Sequence, residues 1–337
     1  MPSFVVMNAA RARLGIVTLA MASAMIARVS IAHATDAEPR ESHELVAPNV
    51  EMAERWRGTL HGSYLSPKNP ADYIADDGGF DVVFHFHAGQ MSEREMRESG
   101  MRAVFVSCGF GIGSGPYSDM FADTFRFDRM LADITNNVAK DTGKPGVHVR
   151  RIGLVSWSAG FAAIGKILGV DRYYSRIDSV ALLDSLHAPY IEPPSRAGGT
   201  AAGAKTAAQG AERVDVKSMA SFVRFAKDAA AGNKAMVITH SAIIPPDYAS
   251  STEATSALLT SISVPLQGAD ATEANGRGMT LASRADAGNL HVRGFRGRGP
   301  KDHFKHLYLI GEVLRSWVVP RWNRSPAAVY TLAGEQL

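Results

Sequence analysis

The sequence has very little cysteine, since Cys108 is the single one among 337 residues. A disulfide within the chain needs two cysteines, so a small scaffold stapled by internal disulfides is excluded. An excess of charge of one sign is also missing, because 36 lysines and arginines nearly balance 33 aspartates and glutamates, for a formal net charge of +3. That balance gives no reason to expect nucleic acid as a partner. What is present is a globular composition, 46% hydrophobic and 20% charged, with enough length for one large domain.

The N-terminal stretch has the three parts of a secretory signal peptide. Arg11 and Arg13 form a basic region, an apolar run follows over 14–26, and Ala32-His33-Ala34 gives the small-x-small pattern of a cleavage site. The apolar run is short for a membrane anchor. The sequence therefore predicts a signal peptide over residues 1–34 and an exported protein without a stable membrane anchor. Export without disulfides indicates the bacterial periplasm or exterior.

Short apolar runs alternate with amphipathic stretches over most of the remaining chain. Strands are predicted at 80–87, 102–107, 152–155, 177–183, 235–239 and 289–295, and helices at 93–99, 121–138, 161–168, 216–231, 251–261 and 304–318. This alternation predicts an α/β fold with a mostly parallel, doubly wound sheet. Such sheets carry their sites at the carboxyl ends of their strands.

The domain organisation follows from where this alternation begins and where it is interrupted. We expect an N-terminal segment over 35–77 and one α/β domain over 78–337. Within that domain, residues 194–212 are rich in alanine, glycine, threonine and lysine and have little to pack. We interpret them as a flexible insertion near the site.

The central motif is Ser156-Trp157-Ser158-Ala159-Gly160, between a short apolar run and a helical pattern. A serine at a sharp strand-to-helix turn projects its hydroxyl from the sheet edge, and the next backbone N–H points into the same space. Glycine at the last position lets the helix pack close to the turn. The segment resembles the nucleophile elbow of the α/β-hydrolase family, G-x-S-x-G, with Ser156 in place of the first glycine. The resemblance implies Ser158 as the nucleophile; the alternative is a chance run in a chain rich in small residues.

A second motif lies after the last predicted strand, where the α/β-hydrolase family carries its catalytic histidine. The segment Asp302-His303-Phe304-Lys305-His306-Leu307 resembles the family's ending GH-F-x-H-L. The resemblance implies His303 as the base, with His306 in reserve. The alternative is a helix start with two solvated histidines. Both histidines also have the spacing of a metal pair, but beyond Asp302 no further ligands support a metal site.

The acid that would orient the base has more than one candidate. The family order is serine, acid, histidine, and the strand at 235–239 has no carboxylate at the turn that follows it. Asp184 ends the strand that comes directly after the nucleophile, where some lipase-like members carry their acid. The resemblance implies Asp184, with Asp247 and Glu253 as rivals. The alternative role for Asp184 is a loop cap.

The oxyanion hole and the pocket are predicted from two loops. The segment Phe84-His85-Phe86-His87-Ala88-Gly89 resembles the family's His-Gly oxyanion loop. It implies Ala88 or Gly89 as one backbone donor, beside Ala159 as the other. The glycine-rich loop at 109–115 fails the dinucleotide pattern G-x-G-x-x-G in both registers. We expect Phe110 and Tyr117 to wall a substrate pocket instead, and Trp157 to be either a pocket surface or a core indole.

The resemblance covers residues 78–320 and implies a serine hydrolase. It would cleave a small-molecule carboxylic ester through an acyl-enzyme on Ser158, with His303 and Asp184 completing the triad and with no metal or organic cofactor. Two other classes stay open at this point. The same triad serves amidases and acyltransferases, and the fold also occurs in non-catalytic binding proteins.

Overall fold

Ten strands form one sheet that organises the molecule. A computed structural model describes residues 50–192, 210–269 and 277–324, which lie in the unit Val46–Leu337. The strands are β1 (Arg57–Thr59), β2 (Gly62–Leu65), β3 (Gly79–Phe86), β4 (Val104–Cys108), β5 (His148–Trp157), β6 (Ile177–Leu183), β7 (Ala235–His240), β8 (Gln267–Gly268), β9 (Leu281–Ala287) and β10 (Leu290–Phe295). Across the sheet they lie in the order β1-β2-β4-β3-β5-β6-β7-β10-β9-β8.

Helices connect the strands and cover the sheet. They are α1 (Glu93–Arg97), α2 (Gly115–Met120), α3 (Arg126–Thr142), α4 (Phe161–Leu168), α5 (Asp171–Arg176), α6 (Ala220–Ala230), α7 (Ser251–Ser261), α8 (Pro300–Leu307), α9 (Ile310–Val313) and α10 (Val319–Arg324). A short π-helical segment, Leu314–Val318, joins the last two. None of the described helices is both long and apolar enough to cross a membrane.

The six central strands run parallel, from β4 through β3, β5, β6 and β7 to β10. The neighbours at both edges, β2 and β9, run antiparallel to them. The predicted fold class is confirmed: the chain is α/β with a mostly parallel sheet that has a hydrophobic core on each face. The carboxyl ends of the central strands therefore meet along one edge of the sheet, where sites of such sheets lie.

Each face of the sheet has its own hydrophobic core, because side chains alternate along a strand. In β3, Phe80, Phe84 and Phe86 pack on one face with apolar side chains of α3, α4 and α6. Val83 points to the other face, where side chains of α1, α8 and α9 cover it. All eight residues of β3 are buried, which explains why its sequence is apolar almost throughout.

The sheet extends further at both ends than the sequence predicts. β1 and β2 lie inside the segment 35–77 that we set apart as N-terminal, and β2 pairs with β4, so the sheet begins at Arg57. β9 was also not predicted. These strands are short or carry polar residues on an exposed edge, so they lack a hydrophobic periodicity. The predicted signal peptide at 1–34, residues 35–49 of the N-terminal segment and most of the insertion at 194–212 lie outside the described residues.

Candidate active site

The turn after β5 has the geometry of a nucleophile elbow. Ser158 follows the last residue of β5 and has a left-handed backbone, with a φ of 51°. A short turn, Ser158–Gly160, then leads into α4. A Cβ atom at Gly160 would lie 2.3 Å from the carbonyl oxygen of Phe86, so only glycine fits. The helix can therefore start directly against the end of β3.

Two buried serines support this turn from behind. The Ser185 hydroxyl donates to the carbonyl oxygen of Ser158 over 2.6 Å, and the hydroxyl oxygens of Ser185 and Ser156 are 2.8 Å apart. Because Ser185 has given its one proton to Ser158, Ser156 must donate to Ser185. The serine that replaces the first glycine of the motif thus holds the elbow through its hydroxyl, which the sequence analysis did not anticipate.

Asp184 lies directly after β6 and hydrogen-bonds to His303. Its Oδ2 atom is 2.6 Å from His303 Nδ1, and its Oδ1 accepts from the Ser241 N–H over 2.9 Å and from the Ser251 hydroxyl. The carboxylate is 2% exposed. Burial alone would raise the pKa of Asp184. The hydrogen bond from His303 and the further polar contacts outweigh it and lower that pKa, so the group is ionised.

The rival acids lie elsewhere and have other partners. Glu253 caps α7, where it accepts from the Ser250 N–H over 2.8 Å, and it also accepts from the Tyr190 hydroxyl over 3.0 Å. Asp247 is exposed. Of the three candidate acids, Asp184 is the one that the structure brings to His303.

The reserve base His306 lies on the buried side of the same helix, α8. Its Nδ1 is 2.8 Å from the Thr239 hydroxyl, and the residue is fully buried. Burial lowers the pKa of His306 to about 4. The structure therefore separates the two histidines: His303 contacts the acid, and His306 is a neutral core residue.

Trp157 lies between two imidazole rings. Its ring centroid is 4.6 Å from that of His303 on one side and 5.2 Å from that of His87 on the other, with the His87 pair nearly parallel. Its indole N–H donates to the His303 carbonyl over 3.0 Å. Trp157 is 6% exposed, so it is a buried indole and not a pocket surface. Its contacts hold both the backbone and the ring of His303.

The loop after β3 approaches the elbow as the predicted oxyanion loop would. His87 and Ala88 both have left-handed backbones, with φ of 73° and 58°, and Gly89 follows them. Ala159 lies at the start of the turn into α4, where the first N–H groups of a helix have no intrahelical acceptor. The structure thus brings together the segments that carry the predicted donors.

A cavity of about 560 Å³ opens beside Ser158. Its lining residues are His87, Ile112, Gly113, Ser114, Ser158, Ala159, Phe161, His187, Ala188, Pro189, Ser218 and Tyr248. Phe110 and Tyr117, which we predicted as pocket walls, are not among the residues that line this cavity. Tyr117 is fully buried and bonds to His87 Nδ1 over 2.8 Å, and Phe110 packs on Tyr117. The glycine-rich loop at 109–115 lines the cavity with Ile112, Gly113 and Ser114 and not with its aromatic residue.

Two further kinds of reactive group are the cysteine thiol and clusters of metal-binding side chains. Burial raises the pKa of the Cys108 thiol, which makes it a poor nucleophile. Within 50–192, 210–269 and 277–324, no group of three or more histidine, cysteine, aspartate or glutamate side chains could hold a metal ion. His187 and Tyr248, which line the cavity, were not singled out by the sequence analysis. His187 lies three residues after Asp184, and this short spacing from a predicted site residue could have indicated that His187 is near the site.

Comparison with known proteins gives similar structures but no similar sequence. No family model matches the chain, and no curated protein does. A hyperthermophilic esterase from the archaeon Pyrobaculum calidifontis is 14% identical, with 79% of this chain and 87% of that chain covered and a TM-score of 0.38. A ferulic acid esterase is 12% identical, with 79% and 99% covered and a TM-score of 0.41. An uncharacterised protein from Capnocytophaga ochracea is 7% identical, with 79% and 64% covered and a TM-score of 0.39.

Proposed function

We propose that this protein is a serine hydrolase that cleaves a carboxylic ester through an acyl-enzyme on Ser158. The observation that carries the proposal is the 2.6 Å hydrogen bond between His303 and the buried Asp184, on the same sheet edge as the strained turn at Ser158. A buried aspartate that holds a histidine near such a turn is the arrangement that activates a serine.

The tautomer of His303 follows from its partner. An ionised carboxylate can only accept a hydrogen bond, so the proton of the neutral imidazole lies on Nδ1, which faces Asp184. The other nitrogen, Nε2, then carries a lone pair and can act as a general base. Asp184 would also stabilise the imidazolium that forms once His303 has taken a proton.

The reaction proceeds in two halves. The Ser158 oxygen attacks the ester carbonyl carbon while His303 takes its proton, and the tetrahedral oxyanion is held by backbone N–H groups of Ala159 and of Ala88 or Gly89. The carbon–oxygen bond to the alcohol then breaks, and His303 returns the proton to the alcohol. Water attacks the acyl-enzyme in the same way, with His303 again as base, and releases the acid and free Ser158. None of these steps draws on a metal or organic cofactor.

Labelling with a fluorophosphonate probe tests the nucleophile. The folded wild-type protein is expected to be labelled, and Ser158→Ala is expected to lose the label completely. Ser263→Ala, at an exposed serine outside the site, serves as the matched control and should keep it. A folded wild-type protein that takes no label would refute the mechanism and favour a non-catalytic binding protein.

The class of bond is tested separately, because a fluorophosphonate does not distinguish esterases from amidases. We expect turnover of a para-nitrophenyl ester and much slower turnover of the matching anilide. Faster release from the anilide, or turnover that requires an added alcohol acceptor, would assign the triad to amide hydrolysis or acyl transfer.

We also propose that the protein is exported and that residues 1–34 are removed. The support is the basic region, apolar run and Ala-x-Ala pattern of the sequence. Expression in a bacterium, followed by fractionation and N-terminal sequencing, is expected to give a periplasmic or secreted protein that begins at Thr35. A chain that stays in the cytoplasm with its first residues intact would contradict this.

A further inference from the structure

The cavity beside Ser158 contains an imidazole that the triad does not use. His187 lines this cavity, three residues beyond Asp184. Its ring meets those of Phe161 and Tyr248 edge-on, with centroid distances of 5.4 and 5.2 Å. Three aromatic rings therefore form one wall of the space that a substrate at Ser158 would enter.

One ring nitrogen of this imidazole lacks a hydrogen-bond partner within the part of the chain that the structure describes. His187 Nδ1 is buried and has no hydrogen-bond partner among the described residues. The second histidine of the cavity differs, since His87 Nδ1 is 2.8 Å from the Tyr117 hydroxyl. A buried polar atom without a partner is uncommon. The His187 side chain as a whole is only partly buried and lines the cavity, so its imidazole can meet a polar group of a ligand there.

The charge of the imidazole limits what it can bind. Burial lowers the pKa of His187, and the smaller opposing effect of the nearby Asp184 charge does not offset it. The ring is therefore neutral near pH 7 and offers one N–H donor and one nitrogen acceptor. A hydroxyl group, which both donates and accepts, matches this ring, whereas a carboxylate or an ammonium group lacks a charged partner here.

We propose that His187 is a specificity-determining residue, and that the preferred substrates are esters that carry a hydroxylated aromatic ring. The ring would lie against Phe161 and Tyr248, and its hydroxyl would hydrogen-bond to His187. A cavity of about 560 Å³ has room for one such ring with a short spacer. This inference rests on the proposed ester hydrolysis at Ser158 and names the substrate class of that site.

Matched substrate pairs test the proposal. One pair is the methyl esters of phenylpropanoic acid and of its para-hydroxy derivative; the other is phenylethyl acetate and para-hydroxyphenylethyl acetate. In at least one pair, wild type is expected to favour the hydroxylated ester by about tenfold in kcat/KM, the size of one neutral hydrogen bond. The pair that shows the preference identifies whether the acid or the alcohol part carries the ring.

The variant His187→Phe keeps an aromatic ring but loses both nitrogens. It is expected to bring the ratio of kcat/KM between the two esters down to about one, because the hydroxyl no longer has a partner. Tyr248→Phe and Ser218→Ala each remove one other hydrogen-bonding group of the cavity lining and should keep the ratio. Equal turnover of both esters by wild type, or a preference that survives in His187→Phe, would overturn the proposal.

A binding measurement separates this proposal from the proposed function. Calorimetry on Ser158→Ala compares phenylpropanoate with its para-hydroxy derivative and, as the alcohol products, phenylethanol with its para-hydroxy derivative. A hydroxylated ligand is expected to bind about tenfold more tightly in at least one pair, and His187→Phe should remove the difference. If wild type hydrolyses no ester but this difference is found, ester hydrolysis fails and the recognition by His187 stands. If neither pair shows a difference, the recognition fails whatever the turnover.

Discussion

The two ends of the central strands are built by different physical means. At the carboxyl ends of β3, β5 and β6, the first residue after each strand has a left-handed backbone: His87, Ser158 and Asp184, with φ of 73°, 51° and 47°. Such angles cost a non-glycine residue about 1 kcal/mol or more. At the amino ends of β3 and β5, the structure instead gathers opposite charges around one buried aspartate.

That aspartate, Asp81, faces two arginines because the register between β3 and β5 shifts at this point. The resulting bulge puts Arg150 and Arg151 against the same carboxylate, with Arg150 Nη2 at 2.8 Å and Arg151 Nε at 3.0 Å. Asp81 is 2% exposed. Here the two arginines neutralise the charge of Asp81, and the backbone of these three residues is not left-handed.

The difference indicates that the carboxyl ends of these strands are shaped for chemistry, whereas the amino ends stabilise the fold. Strain that persists beside a cavity and a paired acid and base is typical of a site held in shape for chemistry. A buried charge cluster remote from that cavity serves the fold. Substitutions at the carboxyl end should therefore change turnover more than stability, and those at the amino end should do the reverse.

The largest expected effect is on turnover, from Asp184→Asn. An asparagine can present its amide N–H₂ group to His303, which favours the wrong tautomer, and kcat is expected to fall by about 10⁴-fold. Ester hydrolysis by the purified variant measures this, with circular dichroism to check folding. Glu253→Gln, at the rival acid, is the matched control and should keep kcat within a few-fold of wild type. The opposite result in this pair would move the acid to Glu253.

The next effect is on stability, from Asp81→Asn. It leaves two largely buried guanidinium groups without their anion, which is expected to cost about 3–5 kcal/mol of the free energy of unfolding. Urea unfolding measures this loss, and kcat of the remaining folded protein should stay near wild type. Glu98→Gln breaks an exposed pair with Arg94 and should cost less than about 0.5 kcal/mol. A loss of kcat in folded Asp81→Asn would contradict the proposed division between the two ends.

A smaller effect follows from pH. Burial lowers the pKa of His306 and of His240 to about 4, from 6.5 for an unburied histidine. Between these values the unfolded chain binds more protons than the folded one, so stability is full above pH 6.5 and falls as the pH drops toward 4. Each histidine is expected to account for about 3 kcal/mol across this window.

The variant His306→Leu tests this dependence on pH. It removes one of the titrations of buried histidines, so its stability should change less between pH 6.5 and 4 than that of wild type. Asp184 does not interfere with this measurement. Its pKa is lowered in the folded protein, so the stability that its ionised carboxylate contributes is lost only below the pH range used here. Urea unfolding at several pH values is the measurement. If the free energy of unfolding changed equally with pH in wild type and variant, His306 would not be neutral in the folded protein.

The sequence predicted those parts of the site that depend on the order of strands and helices along the chain. Ser158 and Asp184 each come directly after an apolar strand, and His303 comes at the start of the last long helical pattern, so the parallel topology brings them to one edge. Trp157 and Tyr117 could not be assigned in this way. Their orientation depends on contacts with His87 and His303, which are remote in sequence.

The same limit applies to the fold. The six central strands are mostly apolar and were all predicted. β1, β2 and β9 lie in the outer, antiparallel parts of the sheet, and their sequences have no clear alternation. The bulge that joins Asp81 to two arginines is a property of register, which a single strand does not specify. Long-range pairing, not local propensity, decides these features.

The smallest expected effect separates the backbone strain at Ser158 from the proposed role of its hydroxyl as the nucleophile. Ser158→Gly and Ser158→Ala both lack the hydroxyl and should both be inactive, so their difference in stability reports the backbone alone. At a φ of 51°, the glycine variant is expected to be more stable than the alanine variant by about 1 kcal/mol.

Ser263, exposed and remote from the triad, has a φ of 57° and provides the control. Its glycine and alanine variants should differ by a similar amount while both keep full turnover. If alanine were as stable as glycine at 158 but not at 263, Ser158 would not hold a left-handed backbone in solution, and the contrast between the two ends of the sheet would lose its main support.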